Sequence, residues 1–166
     1  MSTPVEASTI DPSMFWLPVG FSDESEETAR ERAKEYRADR QTPASFAWRD
    51  LIIEEVADIL ETCSDQGWDG YDGEPVSPLS AHSAAELVRN LPEGIQTPTV
   101  VPEPDGDIAL EWRTEDNRLF SLSVTGPTLI YAGRFGGASR QHGEEPFFGT
   151  IPRTILQILT QHFPAA

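Results

Sequence analysis

A single cysteine, Cys63, stands in 166 residues, so no intramolecular disulfide is available and nothing ties the fold to an oxidising compartment. Long apolar runs are missing as well. No stretch approaches the ~18 apolar residues of a membrane span. Met1 to Ile10 has neither a basic n-region nor a long apolar core. The expectation is a cytoplasmic protein with no membrane partner. The third scarcity is positive charge. Only 12 Lys and Arg oppose 28 Asp and Glu, for a net charge of −16. The deficit is uneven: residues 1–96 carry 20 acids and 7 bases, whereas residues 97–166 carry 8 and 5. Such a field repels nucleic acid and anionic membranes and speeds encounter with basic proteins. Direct nucleic-acid binding is therefore not expected; a basic protein partner is.

The imbalance is sharpest between Asp50 and Glu74. Nine carboxylates (Asp50, Glu54, Glu55, Asp58, Glu61, Asp65, Asp69, Asp72 and Glu74) occur there without one Lys or Arg. They run along one expected helix and into a turn-rich segment, Gly67-Trp68-Asp69-Gly70-Tyr71-Asp72-Gly73, which sets aromatic rings beside acids.

At this length one domain can bury roughly two thirds of its unfolded surface without help from a metal. Residues 1–22 contain three prolines and no periodicity and read as an extended arm; its apolar patch (Met14, Phe15, Trp16, Leu17, Val19 and Phe21) should dock somewhere. The remainder, 23–166, reads as a single α+β domain. A charged helix is expected over Asp23 to Asp39, its acids in the first turn and Arg30, Arg32, Lys34 and Arg37 following, as the helix dipole favours. Those bases are candidate internal partners for the acidic ridge.

A second helix is expected over Ala44 to Cys63. Trp48, Leu51, Ile52, Val56, Ile59, Leu60 and Cys63 recur at three- and four-residue spacing as its core stripe, with Asp50, Glu54, Asp58 and Glu61 opposite. Like charges four residues apart cost a few tenths of a kcal/mol per pair, so the ridge has no helix-stabilising purpose. A third helix starts at Pro78 and runs to Leu91, with Leu79, Ala84, Leu87, Val88 and Leu91 as its apolar face.

The second half changes period. Thr97–Pro102, Ile108–Arg113, Leu119–Thr125 and Thr128–Gly133 are four short strands separated by Gly, Pro, Asp and Asn turn signals. Ile108, Leu110 and Trp112 alternate with Ala109, Glu111 and Arg113, the pattern of an antiparallel meander with one wet face. A loop is expected from Arg134 to Phe148. Ile151, Ile155, Ile158, Leu159 and Phe163 then mark a C-terminal helix lying across the sheet.

Signals for chemistry are weak. Cys63 continues the apolar stripe of its helix, and a buried thiol without a basic environment is inert. Asp65, Asp69 and Asp72 fall at spacings of four and three, which is not the alternation of an EF-hand loop. The glycine-rich, locally basic stretch Gly133 to Gly143 offers Arg134, Arg140 and His142 as an anion site or as a hairpin loop, and it matches no Walker loop or dinucleotide fingerprint. Glu103, Asp105, Asp107 and Glu111 read as turn and surface residues. No catalytic residue, metal ligand or cofactor follows from any of these. Trp68 and Tyr71 read either as a binding hot spot or as rings closing the edge of the core.

Three blocks of sequence carry a resemblance. Gly67-Trp68-Asp69-Gly70-Tyr71, then Pro104-Asp105-Gly106-Asp107-Ile108-Ala109-Leu110-Glu111-Trp112, then Tyr131-Ala132-Gly133 and Phe147 through Ile151-Pro152 occur in this order. In this the chain resembles a scattered bacterial family of small acidic proteins, over roughly residues 65–163. It departs from that pattern at Asp72-Gly73-Glu74, where a Gly-Ala pair is commoner. The resemblance implies one helix–meander–helix domain and carries no activity.

Three functional expectations follow, the third being a structural subunit of a larger assembly that docks through residues 1–22. The first is a non-catalytic binding module that docks a basic protein through Asp50, Glu54, Asp58, Glu61, Trp68, Asp69 and Tyr71. The second is a small-molecule or anion-binding domain, with an enzyme as one form of it. It would use the wet sheet face with Glu111, Arg113, Arg134 and His142, together with Arg140 of the glycine-rich loop.

Overall fold

The acid-studded segment before Cys63 forms helix α1 (Ala44–Thr62) in the computed structural model, which describes residues 44–165. The expected arm over 1–22 and helix over 23–39 lie outside the described residues. Ile52, Ile53, Val56 and Cys63 of α1 are buried, with Trp48, Ile59 and Leu60 packed partly against them. One member of the expected stripe is misplaced. Leu51 is 64% exposed, and Ile53 is buried in its stead. Leu51 lies seven residues before Asp58, two turns along the helix, so it shares the acidic face. Arg49 is buried too, donating from Nη2 to the Leu91 carbonyl at 2.6 Å while its guanidinium lies 4.8 Å from the Trp48 ring.

Helix α2 (Pro78–Asn90) begins with proline in its first turn, and the Ser77 hydroxyl caps it by accepting from the Ser80 amide. Its packed side is built of Ser80, Ala81, Ser83, Ala84, Ala85, Leu87 and Val88, small enough for close approach to the sheet. Leu79, expected on that side, is 58% exposed and reaches over Gly126 instead. Ser80 takes the inward place. Its hydroxyl donates to the Val124 carbonyl at 2.6 Å and accepts from the Ile108 amide at 2.8 Å, tying the helix to two strand ends.

The meander has five strands, not four: β1 (Thr99–Pro102), β2 (Ile108–Arg113), β3 (Leu119–Val124), β4 (Thr128–Arg134) and β5 (Arg140–Pro146). They lie in chain order, every neighbouring pair antiparallel. Most of the expected loop Arg134 to Phe148 is therefore β5, joined to β4 by the turn Phe135–Ser139. Arg140-Gln141-His142-Gly143-Glu144-Glu145-Pro146 has no apolar alternation because an edge strand buries little; hydrogen bonding to β4 defines it.

One face of the sheet carries Val100, Ile108, Leu110, Trp112, Phe120, Leu122, Val124 and Leu129, all buried beneath the helices. Phe120 sits at its centre, its ring 5.8–6.3 Å from those of Trp112, Tyr131, Phe135 and Phe163. Helix α3 (Arg153–His162) adds Ile155, Ile158 and Leu159 to this core, and Phe163 follows it in. The other face presents Thr99, Glu111, Ser121, Ala132 and His142 in one cross-strand row. The chain is an α+β fold of helices, an antiparallel sheet and a C-terminal helix. No described helix is long and apolar enough to cross a membrane.

Candidate functional site

The acidic turn after α1 is a closed, internally bonded loop. Gly67, at φ 77°, donates to the Gly73 carbonyl at 2.7 Å, and Gly70, at φ 83°, donates back to the Gly67 carbonyl at 2.9 Å. Glycine meets no penalty in this left-handed region. Asp69 is half-buried inside the ring, where Oδ1 accepts from the Tyr71 amide at 2.9 Å and the Gly73 amide at 3.1 Å. Gly73 leaves room for it: a Cβ there would lie 2.8 Å from the Asp69 carboxyl carbon.

These bonds separate the two aromatic residues. Trp68 is partly buried against the core and donates from Nε1 to the Glu74 carbonyl at 2.8 Å, so its polar end is used in closing the loop. Tyr71 is 86% exposed. Of the residues expected to meet a partner, Trp68 and Asp69 hold the loop's shape and Tyr71 projects from it.

The tertiary fold also joins a second acidic segment to the first. The Glu74 amide donates to the Pro104 carbonyl, and the Ser77 amide to that of Gly106, both at 2.8 Å. The loop thus abuts the β1–β2 turn with its Glu103, Asp105 and Asp107. No spacing in the sequence signals this, because about thirty residues separate the two segments and only the docking of loop on turn unites them.

Burial first, then the carboxylates of Asp105 and Glu103, push the Asp107 carboxyl up from 3.8 to about 6. The folded chain therefore holds this proton more tightly than the unfolded chain does. The contribution to stability is greatest below the unfolded value of 3.8 and is lost as pH rises to about 6. Asp107 is only half-buried, and solvent screening reduces the penalty at neutral pH to about 1 kcal/mol. Asp107→Asn should therefore raise stability by about 1 kcal/mol near pH 7 and by almost nothing near pH 3.5, in urea melts at the two pH values.

Along α1, Asp50, Glu54, Asp58 and Glu61 are all exposed. They are not equivalent. Asp50 and Glu54 each engage other groups of the chain, and Asp50 lies close enough to Arg89 of α2 to raise its pKa. Burial outweighs that effect and lowers the Arg89 value overall. Asp58 and Glu61 extend the ridge toward the loop.

The alternative residues share the open sheet face in two rows. Glu111 and His142 lie in one, with Ser121 and Ala132 between them; Arg113, Leu119, Arg134 and Arg140 form the next. Glu111 and His142 are three strands apart, about 14 Å, too far to grip one small ligand together. Arg134 and Arg140 stand directly opposite each other across the β4–β5 hairpin, both exposed, and Arg134 Nε donates to the Asn117 carbonyl at 3.3 Å. Arg113 lies 3.9 Å from Glu111, on its own strand. Cys63 is buried in the core. Among the described residues no group of three or more His, Cys, Asp or Glu side chains is placed to hold a metal ion.

No protein-family model matches this chain, and neither a curated protein nor a solved structure matches it. The functional reading therefore rests on the surface alone.

Proposed function

We propose that the protein is a non-catalytic binding module that docks a basic partner protein, in the manner of an antitoxin, immunity protein or inhibitor. The observation that carries this reading is Tyr71, 86% exposed on a loop that its own hydrogen bonds hold in shape, with exposed Asp65, Asp72 and Glu74 around it. A tyrosine presented on an ordered loop gives up little conformational freedom on binding. Tyr is also among the residues enriched at binding hot spots. Carboxylates around it steer a basic surface inward and repel an acidic one.

The reading is tested by affinity capture from the source organism's lysate at low and then high salt, followed by mass spectrometry. A basic protein should be retained at low salt and released at high salt. Changing Asp58, Glu61 and Asp72 together to Lys spares the two ridge carboxylates that engage the fold. It should weaken capture at least tenfold, about 1.4 kcal/mol, with an unaltered circular dichroism spectrum. Undiminished capture by the triple variant, or capture of acidic proteins alone, overturns the reading.

A further inference from the structure

The β5 edge of the sheet is open among the described residues, and its hydrogen-bonding parity can be read from the hairpin that forms it. Phe135 donates to the Ser139 carbonyl at one end, and Phe147 donates to the Pro127 carbonyl at the other. In an antiparallel ladder hydrogen-bonded pairs alternate with non-bonded ones. Gln141, Gly143 and Glu145 therefore spend their main-chain groups on β4. Arg140, His142 and Glu144 turn their N–H and C=O groups outward, and the side chains of all three are exposed on the open face.

The charge order along those three residues is self-complementary. A basic residue begins the strand and acids end it. Two copies of β5 laid antiparallel with His142 facing its symmetry mate set Arg140 opposite the partner's Glu144, twice. The same register brings only outward-facing residues together, so His142, Arg140 and Glu144 can exchange about six main-chain hydrogen bonds across the seam. Parallel pairing would stack like on like. Across β4 and β5, Arg134 and Arg140 balance Glu144 and Glu145. This is a neutral region of a strongly acidic chain, so two copies can meet here without bringing their acidic ridges together.

We propose that the protein self-associates through β5 as a two-fold dimer with one continuous ten-stranded sheet, in which Arg140 pairs with Glu144 of the second copy. Edge-to-edge strand addition of this kind closes after one step, because the two-fold operation uses both open edges at once.

Sedimentation velocity on the full chain over a wide concentration range tests it. The unaltered protein should show a reversible monomer–dimer equilibrium. Arg140→Glu or Glu144→Arg alone sets like charges opposite each other and should weaken the dimer by about tenfold or more. The two changes together restore the pairing and should restore the dimer. Glu144→Pro removes one outward N–H and nothing from the β4 ladder, so it should give a folded monomer. If that variant does not fold, the charge swap still decides. A protein that stays monomeric at every concentration overturns the proposal. So does a dimer that both single variants leave intact, or a double variant that stays monomeric.

Discussion

Phe120→Ala should lower the unfolding free energy by about 4 kcal/mol, the upper part of the range for truncating a buried aromatic residue. Phe120 has no exposed surface and lies within 6.3 Å, ring to ring, of four other aromatic residues. Trp112 and Tyr131 come from the neighbouring strands, Phe135 from the β4–β5 turn, and Phe163 from beyond α3. Removing the ring leaves a cavity bounded by four large, stiff groups that cannot collapse together without moving the backbone. A small domain has only about 5–15 kcal/mol in reserve, so the variant should lose a large share of it. Urea denaturation measures the loss directly. An effect below about 2 kcal/mol would mean that these rings repack around the void, and that the aromatic cluster is not what joins α3 to the sheet.

The second large effect is expected at Gly106, in the turn between β1 and β2. Its φ of +87° lies in the left-handed region, and a Cβ there would stand 2.7 Å from the Pro75 carbonyl oxygen. Both penalties fall on an alanine, one from the backbone conformation and one from a contact with main chain that no side-chain rotation relieves. Together they should cost Gly106→Ala about 3 kcal/mol. The damage should also be directional. The clash pushes the turn away from residues 74–77, where the Glu74 and Ser77 amides donate to Pro104 and Gly106. Hydrogen exchange should therefore accelerate at Glu74 and Ser77 well before it does in β3, whose amides report global unfolding. Uniform acceleration across the sheet would show that loop and turn do not open as a separate unit. Partner capture should fall in the same variant, since the proposed docking surface depends on the loop's fixed shape.

Elements with a strong period are legible in the residues themselves. The alternation through Ile108, Leu110 and Trp112, and through Phe120, Leu122 and Val124, places β2 and β3 correctly and with those residues inward, although Ala109, expected on the wet face, is buried as well. Proline and serine at the start of α2 mark its first turn. Where expectation and fold differ, the causes are equally plain. Leu51 and Leu79 are apolar residues that the expected faces include and that the fold leaves exposed; hydrophobicity permits burial but does not choose which neighbouring residue turns inward. Ile53 and Ser80 take those places because of where the sheet lies. Strand β5 gives no signal, since a strand at the end of the described sheet buries little and needs no apolar pattern.

The acidic character of this protein, the lack of bases between Asp50 and Glu74, the meander and its inward faces all follow from residue type and spacing. These are local properties, and short-range sterics and hydrophobic period are enough to set them. Four matters are decided only by tertiary structure: that Trp68 closes a loop while Tyr71 leaves it, that Asp69 turns inward, that the β1–β2 turn adds its carboxylates to the acidic surface, and that β5 ends the sheet formed by the described residues. The first two depend on hydrogen bonds inside the loop itself, the third on docking between segments about thirty residues apart, and the fourth on hairpin pairing by a strand without an apolar pattern; none of these leaves a period for a sequence to display.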